Sequence, residues 1–345
     1  YFTEPINTND RSLHQGSVIE EAILEAINGA TTSIDGAFYE MNLESIANAL
    51  IAAKQRGVRV RLVVDDEDFV HREELDPENS VLDLLEASGF RLYCEDQQPR
   101  DYDIRCDDRP SSLMHNKFMI IDGIEVWTGS MNYTHNGIYN NNNNVIVFRS
   151  QALVENYEYM FNLMFEEGIF NLAGTDGNDI PNRRPTINGV RVENYFAPDD
   201  GNMIEQRVVE LINGAQKSIY VMAYGITLDS IGEAIVERYQ NGVAVQGLFE
   251  TRAATARGSE FPLLGCAGIT VKRDGNPNTF HHKVIIIDGE IVITGSFNFS
   301  DNAKNNSENV TIIHSPEIAQ QFIAEFNKRF NDPAANTLSR AEMGC

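Results

Sequence analysis

An α/β fold made of two pseudo-symmetric α/β/α sandwich halves, mixed sheets flanked by helices, is what this sequence predicts. Three observations predict it. Stretches with apolar residues at helical spacing alternate with short β-like runs, the pattern of a layered α/β fold. The order of these stretches occurs twice. A His-x-Lys motif, followed by an Asp and then Gly-Ser-x-Asn, also occurs twice.

The duplication is legible directly. Residues 27–34 read Ile-Asn-Gly-Ala-Thr-Thr-Ser-Ile and residues 212–219 read Ile-Asn-Gly-Ala-Gln-Lys-Ser-Ile, an offset of 185. The offset holds from Glu20/Glu205 through Ser45/Ser230 to Gly57/Gly242. The His-x-Lys motifs are offset by only 166, so the first half carries 19 more residues ahead of its motif.

In the first half, Ile19, Ala22, Ile23, Ala26 and Ile27 space a helix over 18–29 that stops at Gly29. Strand 33–39, helix 43–55 and strand 58–64 follow, then helix 79–88 and strand 90–93. Asp122-Gly123 between two apolar runs predicts a hairpin of 117–121 and 124–128. Strand 145–148 and helix 152–166 close the half. The second half repeats this order: helix 203–213, strand 217–224, helix 228–240 and strands 243–249 and 269–272. The pair 283–287/290–294 about Asp288-Gly289, strand 309–313 and helix 315–330 complete it. Gly, Asn, Asp and Pro crowd the stretch between. The expected division is therefore a half over 1–170, a linker over 171–200 and a half over 201–345.

At 345 residues and 42% hydrophobic content, each half has room for a core, and no apolar run is long enough to span a membrane. The chain opens at Tyr1 with no signal-like segment, which reads as a mature or trimmed form and is compatible with a removed targeting peptide. The net charge of -24 argues against a surface coated in cations to grip duplex DNA. Half of that charge lies in 65–108, where 16 acids face 4 bases. A solvated face, a calcium loop, and a lid that discourages polyanions are its three readings. Cys94 and Cys106 either close a loop, as in an exported protein, or stay free thiols in a cytosol. Secretion or a periplasmic location is the expectation.

The chemistry resides in the doubled motif. His115-x-Lys117, Asp122 and Gly129-Ser130-x-Asn132 recur with identical spacing as His281-x-Lys283, Asp288 and Gly295-Ser296-x-Asn298. Residues i and i+2 of a strand face one side, so each His projects with its Lys. A hairpin whose turn is at Asp122 brings the His-Lys end and the Gly-Ser-x-Asn end together, away from the turn. Imidazole, ammonium, hydroxyl and amide then meet at one point, a set suited to a phosphate. Asp122 and Asp288 fall at the far end and are expected to be structural, pairing locally or capping the turn. Two such half-sites facing each other place two His and two Lys around one phosphate. One imidazole then attacks phosphorus while the other supplies a proton to the leaving oxygen, and no metal or other cofactor is required.

This doubled pattern resembles the HKD motif of the phospholipase D superfamily, and the repeated helix–strand lead-in is similar to that family's layout. The resemblance implies a bilobal enzyme, a phosphohistidine intermediate and metal-independent hydrolysis or transphosphatidylation of phosphodiesters. It implies phosphate-binding roles for Lys117, Lys283, Asn132 and Asn298, supported by Ser130 and Ser296. By similarity to bilobal members His115 is the nucleophile and His281 the general acid/base. Family members of this layout often use an acid to hold the motif His, and Glu308 fits that role for His281. Asn143 or Asn144 would offer His115 only an amide.

Other features have plainer readings. In a strand, His282 faces away from His281, which argues against a metal pair. His135 lines the pocket or is a solvated loop residue; His14, His71 and His314 are structural or exposed. Trp127 is a core residue, and Asn140–Asn144 an ordered loop rimming the site. The Asn-x-Ser/Thr triplets at Asn132, Asn298, Asn305 and Asn309 read as coincidences of the motif. Three functions compete: a phospholipid-directed phosphodiesterase with transient membrane contact, an endo- or exonuclease on single-stranded DNA or RNA with Arg59, Arg61, Arg105, Arg109 and Arg149 as its track, and a silent scaffold. Intact His and Lys in both copies argue against the last. With both half-sites in one chain, a monomer without an obligate protein partner is expected.

Overall fold

The computed structural model describes residues 1–66, 81–94, 101–107, 109, 111–170 and 180–345. Nearly half of the acidic segment, including His71, and Gly174–Asn178 of the expected linker lie outside the described residues.

Each half builds a mixed sheet between helices. The first half contains α1 (Val18–Gly29), β1 (Ser33–Phe38), α2 (Glu44–Gln55), β2 (Arg59–Asp65), α3 (Leu82–Ala87), β3 (Leu92–Tyr93) and β4 (Ile104–Asp107). Then come β5 (Lys117–Ile121), β6 (Glu125–Gly129), β7 (Val145–Phe148) and α4 (Gln151–Asn162). Its sheet runs β3-β4-β2-β1-β5-β6-β7. The second half contains β8 (Thr186–Ile187), β9 (Val190–Ala197), α5 (Gly201–Gly214), β10 (Ser218–Ala223), α6 (Asp229–Gln240), β11 (Ala244–Phe249), α7 (Phe261–Cys266) and β12 (Thr270–Arg273). It ends with β13 (Lys283–Ile287), β14 (Ile291–Gly295), β15 (Glu308–His314) and α8 (Pro316–Phe330). Its sheet runs β12-β11-β10-β13-β14-β15-β9-β8.

The two-residue period of the strands divides each sheet into two apolar faces. On the first sheet, Ile34, Phe38, Leu62, Val64 and Met119 pack under α1 and α2. Ala37, Val63, Phe118, Ile120 and Val126 pack under α4, through Val154, Tyr157 and Phe161. Phe196 of β9 enters this second cluster, so the halves share a core there. The second sheet is divided in the same way, with α8 covering Met222, Val284 and Ile286.

The helices and strands anticipated from spacing fall within a few residues of their expected bounds. The span read as linker is more ordered at its end: Val190–Ala197 pairs antiparallel with β15 along seven residues, Glu308↔Ala197 to His314↔Arg191. Strand β4 and helix α7 were also not anticipated. Both Asp-Gly turns form as expected, with Asp122 and Gly123 at φ 54° and 64° and Asp288 and Gly289 at 57° and 67°. All four cysteines are paired, Cys94 with Cys106 and Cys266 with Cys345; the second bridge was not anticipated.

Candidate active site

Both His-x-Lys motifs sit at the start of a central strand. β5 runs antiparallel to β1 and β13 to β10, with Phe38↔Lys117 and Ala223↔Lys283 in register. The ladder continues one step beyond each strand: Tyr39 N donates to Asn116 O at 3.0 Å and Tyr224 N to His282 O at 2.7 Å. These bonds fix the backbone between His and Lys, so both side chains leave one face. Each ammonium donates to the carbonyl of its own His, Lys117 to His115 at 2.6 Å and Lys283 to His281 at 2.9 Å. Each also lies over a tyrosine ring, Lys117 over Tyr39 at 4.7 Å and Lys283 over Tyr224 at 5.6 Å. The tyrosines, which repeat at the offset of 185, were not singled out from sequence.

The two halves hold each other's histidines. His115 Nδ1 lies 2.8 and 2.9 Å from the two carboxylate oxygens of Glu308, a residue of the second half. His281 Nδ1 lies 2.9 Å from Asn143 Oδ1, a residue of the first half. This corrects the expected pairing of Glu308 with His281 and of an asparagine with His115. The loop after each hairpin crosses the interface, so its residue faces the other half's motif. The next position repeats the exchange. Asn309 Nδ2 donates to Asn116 Oδ1 at 2.9 Å, and Asn144 Nδ2 lies 3.2 Å from His282 Nδ1. Thr128 donates to Asn309 Oδ1 and Thr294 to Asn144 Oδ1.

Gly129 and Ser130, and their copies Gly295 and Ser296, make this crossing possible. A Cβ at Gly129 would stand 2.1 Å from Asn144 O, and one at Gly295 2.1 Å from Asn309 O. Only glycine lets the crossing loop pass that close. Ser130 and Ser296 are fully buried. Ser130 Oγ donates to Asn143 Oδ1 at 2.9 Å, and Ser296 supports Glu308. Their hydroxyls are spent on the residues that orient the histidines, so the phosphate contact expected of them becomes an orienting one.

Asn132 Nδ2 donates to Glu40 at 2.8 Å. The Oδ1 atoms of Asn132 and Asn298 are buried without a hydrogen-bond partner among the described residues. Asp122 and Asp288 stand at the other end of their strands, roughly 16 Å away at ~3.3 Å per residue. They do not cap their own turns. Asp122 accepts from the backbone N–H groups of Thr31, Thr32 and Ser33, and Asp288 from those of Gln216, Lys217 and Ser218. Each therefore ties the hairpin to the entry of the neighbouring strand.

Burial and mutual repulsion shape the electrostatics of the paired motifs. Burial, and then the charges of Lys283 and Lys117, hold the His281 imidazole well below its ordinary value. Burial and the Lys117 charge do the same to the Lys283 ammonium. Burial pushes the Glu308 carboxyl up to about 8, against the pull of Lys117, Ser296 and Asn306. A bound anion would add negative charge beside His281 and Lys283 and raise both. Among the described residues no cluster of three or more His, Cys, Asp or Glu could hold a metal ion.

The remaining histidines separate cleanly. His282 is buried on the opposite face, between Phe2, Phe280 and Glu325. His135 does not stand alone in its loop: its Nδ1 lies 3.1 Å from His14 Nδ1, and His14 stacks on Tyr139. His314 bonds Glu193. Trp127 is buried, as its apolar strand implied.

One contributor escaped the sequence reading. Tyr1-Phe2-Thr3 lies along the free edge of β7 beside Asn143 and Asn144, through a bridge of Phe2 with Asn144. In the second half, Tyr195-Phe196-Ala197 of β9 lies in the same way beside Glu308 and Asn309. The repeated Tyr-Phe pair was the available signal.

A family model described as "Cardiolipin synthase, PLD-like domain" matches residues 23–165 and 208–330, more than half of the chain. The chain is 32% identical over 123 residues to a mitochondrial cardiolipin hydrolase of Chlamydomonas reinhardtii, covering 35% of this chain and 55% of that protein. It is 36% identical over 140 residues to a phospholipase D of Rickettsia bellii, covering 40% of this chain and 69% of that protein. The fold of nearly the whole chain is shared with the crystal structure of a phosphatidylserine synthase of Haemophilus influenzae, at TM-score 0.69 and 16% identity over 94% of this chain and 86% of that one. With the matched pattern met once in each half, the chain belongs to the phospholipase D superfamily.

Proposed function

We propose that the chain is a phosphodiesterase of the phospholipase D type, acting on phospholipids by hydrolysis or transphosphatidylation through a phosphohistidine. The exchange of orienting residues between the halves carries this reading. It gives the two histidines unlike partners at Nδ1. Glu308 accepts the Nδ1 proton of His115 and makes that ring the stronger nucleophile. Asn143 offers His281 an amide oxygen and no charge, so protonated His281 gives up its proton readily.

His115 Nε2 attacks phosphorus, and the bond to the leaving oxygen breaks as that oxygen takes the proton of His281 Nε2. A water or alcohol then loses a proton to His281 and displaces phosphorus from His115. Lys117 and Lys283 offset charge on the phosphoryl oxygens throughout, with Asn132 and Asn298 as further donors. Nothing in these steps calls for a metal or cofactor.

Phospholipid is favoured over polynucleotide by the fate of the five arginines. Arg59 and Arg61 bond Asp35, Arg109 bonds Asp107, Arg149 bonds Glu125, and Arg105 bonds the Phe165 carbonyl. All five are engaged by groups of the protein itself, which supports the lipid reading over a strand track. The net charge of -24 points the same way. The names of the relatives also support lipid chemistry. The paired cysteines support an oxidising, extracytoplasmic setting. One chain holding both half-sites supports a monomer that meets membranes transiently.

The test is a side-by-side assay of phosphatidylcholine vesicles and labelled single-stranded DNA, with bis(p-nitrophenyl) phosphate as a general reporter and EDTA present. Lipid cleavage that survives EDTA is expected. Cleavage of DNA alone would transfer the site to a nuclease, and loss of all activity with EDTA would end the metal-free mechanism.

A further inference from the structure

The free edge of β7 is closed unlike that of β15. β15 is covered by the eight-residue strand β9, in a continuous ladder. Tyr1–Thr3 lies along the start of β7, and its backbone bonds reach Asn143 and Val145. Thr3 N donates to Asn143 O at 3.1 Å, and Val145 N to Tyr1 O at 3.0 Å. The ladder then breaks, because the Thr3 carbonyl is turned to Arg329 of α8, 2.8 Å from its Nη2. The Asn143 N–H would be left without a ladder acceptor in a buried place. The Thr3 hydroxyl fills that gap: it accepts from Asn143 N at 2.7 Å and donates to Asn141 O at 2.7 Å. Thr3 is 1% exposed. At the matching place in β9 stands Ala197, opposite Glu308, with no hydroxyl to offer.

Asn143 is the residue this hydroxyl anchors, and its side chain is fully committed. Its Nδ2 donates to Gly137 O at 2.8 Å, which turns Oδ1 to His281 Nδ1. The backbone position of Asn143 therefore sets the imidazole.

We infer that Thr3 is a positioning residue for leaving-group protonation, acting through Asn143 on His281. This inference rests on the proposed role of His281 as the acid. Loss of the hydroxyl leaves a buried N–H unpaired, and Asn143 must shift to find water or another acceptor. His115, held by Glu308 against the longer β9, is untouched by that shift. Thr3 thus affects one histidine and not the other.

The leaving group reports the difference. p-Nitrophenolate departs without a proton, whereas the alkoxide of choline requires one. Single-turnover release of the first leaving group is measured for wild type, Thr3→Val, Thr3→Ser and His281→Ala, on bis(p-nitrophenyl) phosphate and on a short-chain phosphatidylcholine. Thr3→Val is expected to slow choline release about tenfold more than p-nitrophenolate release, and Thr3→Ser to restore the wild-type ratio. In an Asn143→Ala background Thr3→Val should not change the ratio further. If Thr3→Val does not fold, Thr3→Ala removes the same hydroxyl and carries the comparison. Equal losses on both substrates, or none, overturn the inference while His281→Ala still separates the two substrates. If His281→Ala slows both equally, the acid role of His281 fails, and the inference fails with it.

Discussion

The half that carries His115 and the half that carries His281 share their motif spacing and differ in what surrounds it. Both place His, Lys and Asn on equivalent elements, and both send a loop across the interface. One histidine receives a carboxylate and the other an amide. The lesson is that a half-site in a duplicated chain does not own its chemistry. Glu308 belongs to the second half by sequence and to the first half's histidine by contact. Divergence at one loop therefore alters the catalyst of the opposite half. Two copies of one motif thereby acquire unlike partners, the basis of the proposed division into nucleophile and acid.

The comparison breaks most completely at the histidines. His115→Ala should lose activity on every diester, by roughly 10⁴-fold, since no other group can form the covalent intermediate. His281→Ala should lose about as much on phosphatidylcholine but far less on a p-nitrophenyl diester in single-turnover release. Equal losses on both would mean that His281 is not the acid.

Glu308→Gln makes the halves alike and should lower kcat about 10- to 100-fold, the usual scale for an orienting partner. Asn143→Asp makes them alike in the opposite sense. It should raise the His281 pKa and weaken the acid several-fold, roughly one order of magnitude at most. A Glu308→Gln enzyme of wild-type rate would remove the basis of the asymmetry.

The pH dependence sharpens the same contrast. With its carboxyl pushed up to about 8, Glu308 becomes a charged acceptor for His115 only as pH rises toward that value. The rate of the first step should climb with pH up to about 8 in wild type and lose that limb in Glu308→Gln. Stability should move the other way. Folding takes up a proton at Glu308 between 4.5 and about 8, so the folded state loses stability as pH rises through that window. Thermal melts of Glu308→Gln should be flatter than wild type across it.

The smallest effect is expected far from phosphorus. Asp122→Asn removes a charged acceptor from the entry of β1 and should cost about 1–3 kcal/mol of stability with kcat nearly unchanged. Its carboxyl is held below the ordinary range, chiefly by N–H donors of Thr32, Ser33 and Thr31 that outweigh its partial burial. That support is present above the ordinary value of 3.8 and fades as pH falls. A large fall in kcat at unchanged stability would overturn the structural role of Asp122.

The sequence by itself determined the duplication, most helices and strands, the Asp-Gly turns and the grouping of His115 with Lys117 and of His281 with Lys283. These follow from local periodicity and spacing, which a single strand or hairpin reads out without help. It also placed Asp122 and Asp288 away from the His-Lys ends, because hairpin geometry alone separates turn from open end. Only the tertiary structure decided who partners whom. Glu308 crosses to His115, Asn143 to His281, and Ser130 and Ser296 turn inward to hold them. Asp122 reaches back to residues 31–33, and Tyr1–Thr3 takes the edge that β9 takes in the other half. The physical reason is common to all of these. A side chain's partner across a pseudo-two-fold interface depends on how two sheets meet, and a chain whose halves are similar offers each residue two equivalent-looking partners. Intra-half pairing and cross-half pairing have the same local pattern, and only the meeting of the two halves, which share a core at Phe196 and Tyr157, distinguishes them.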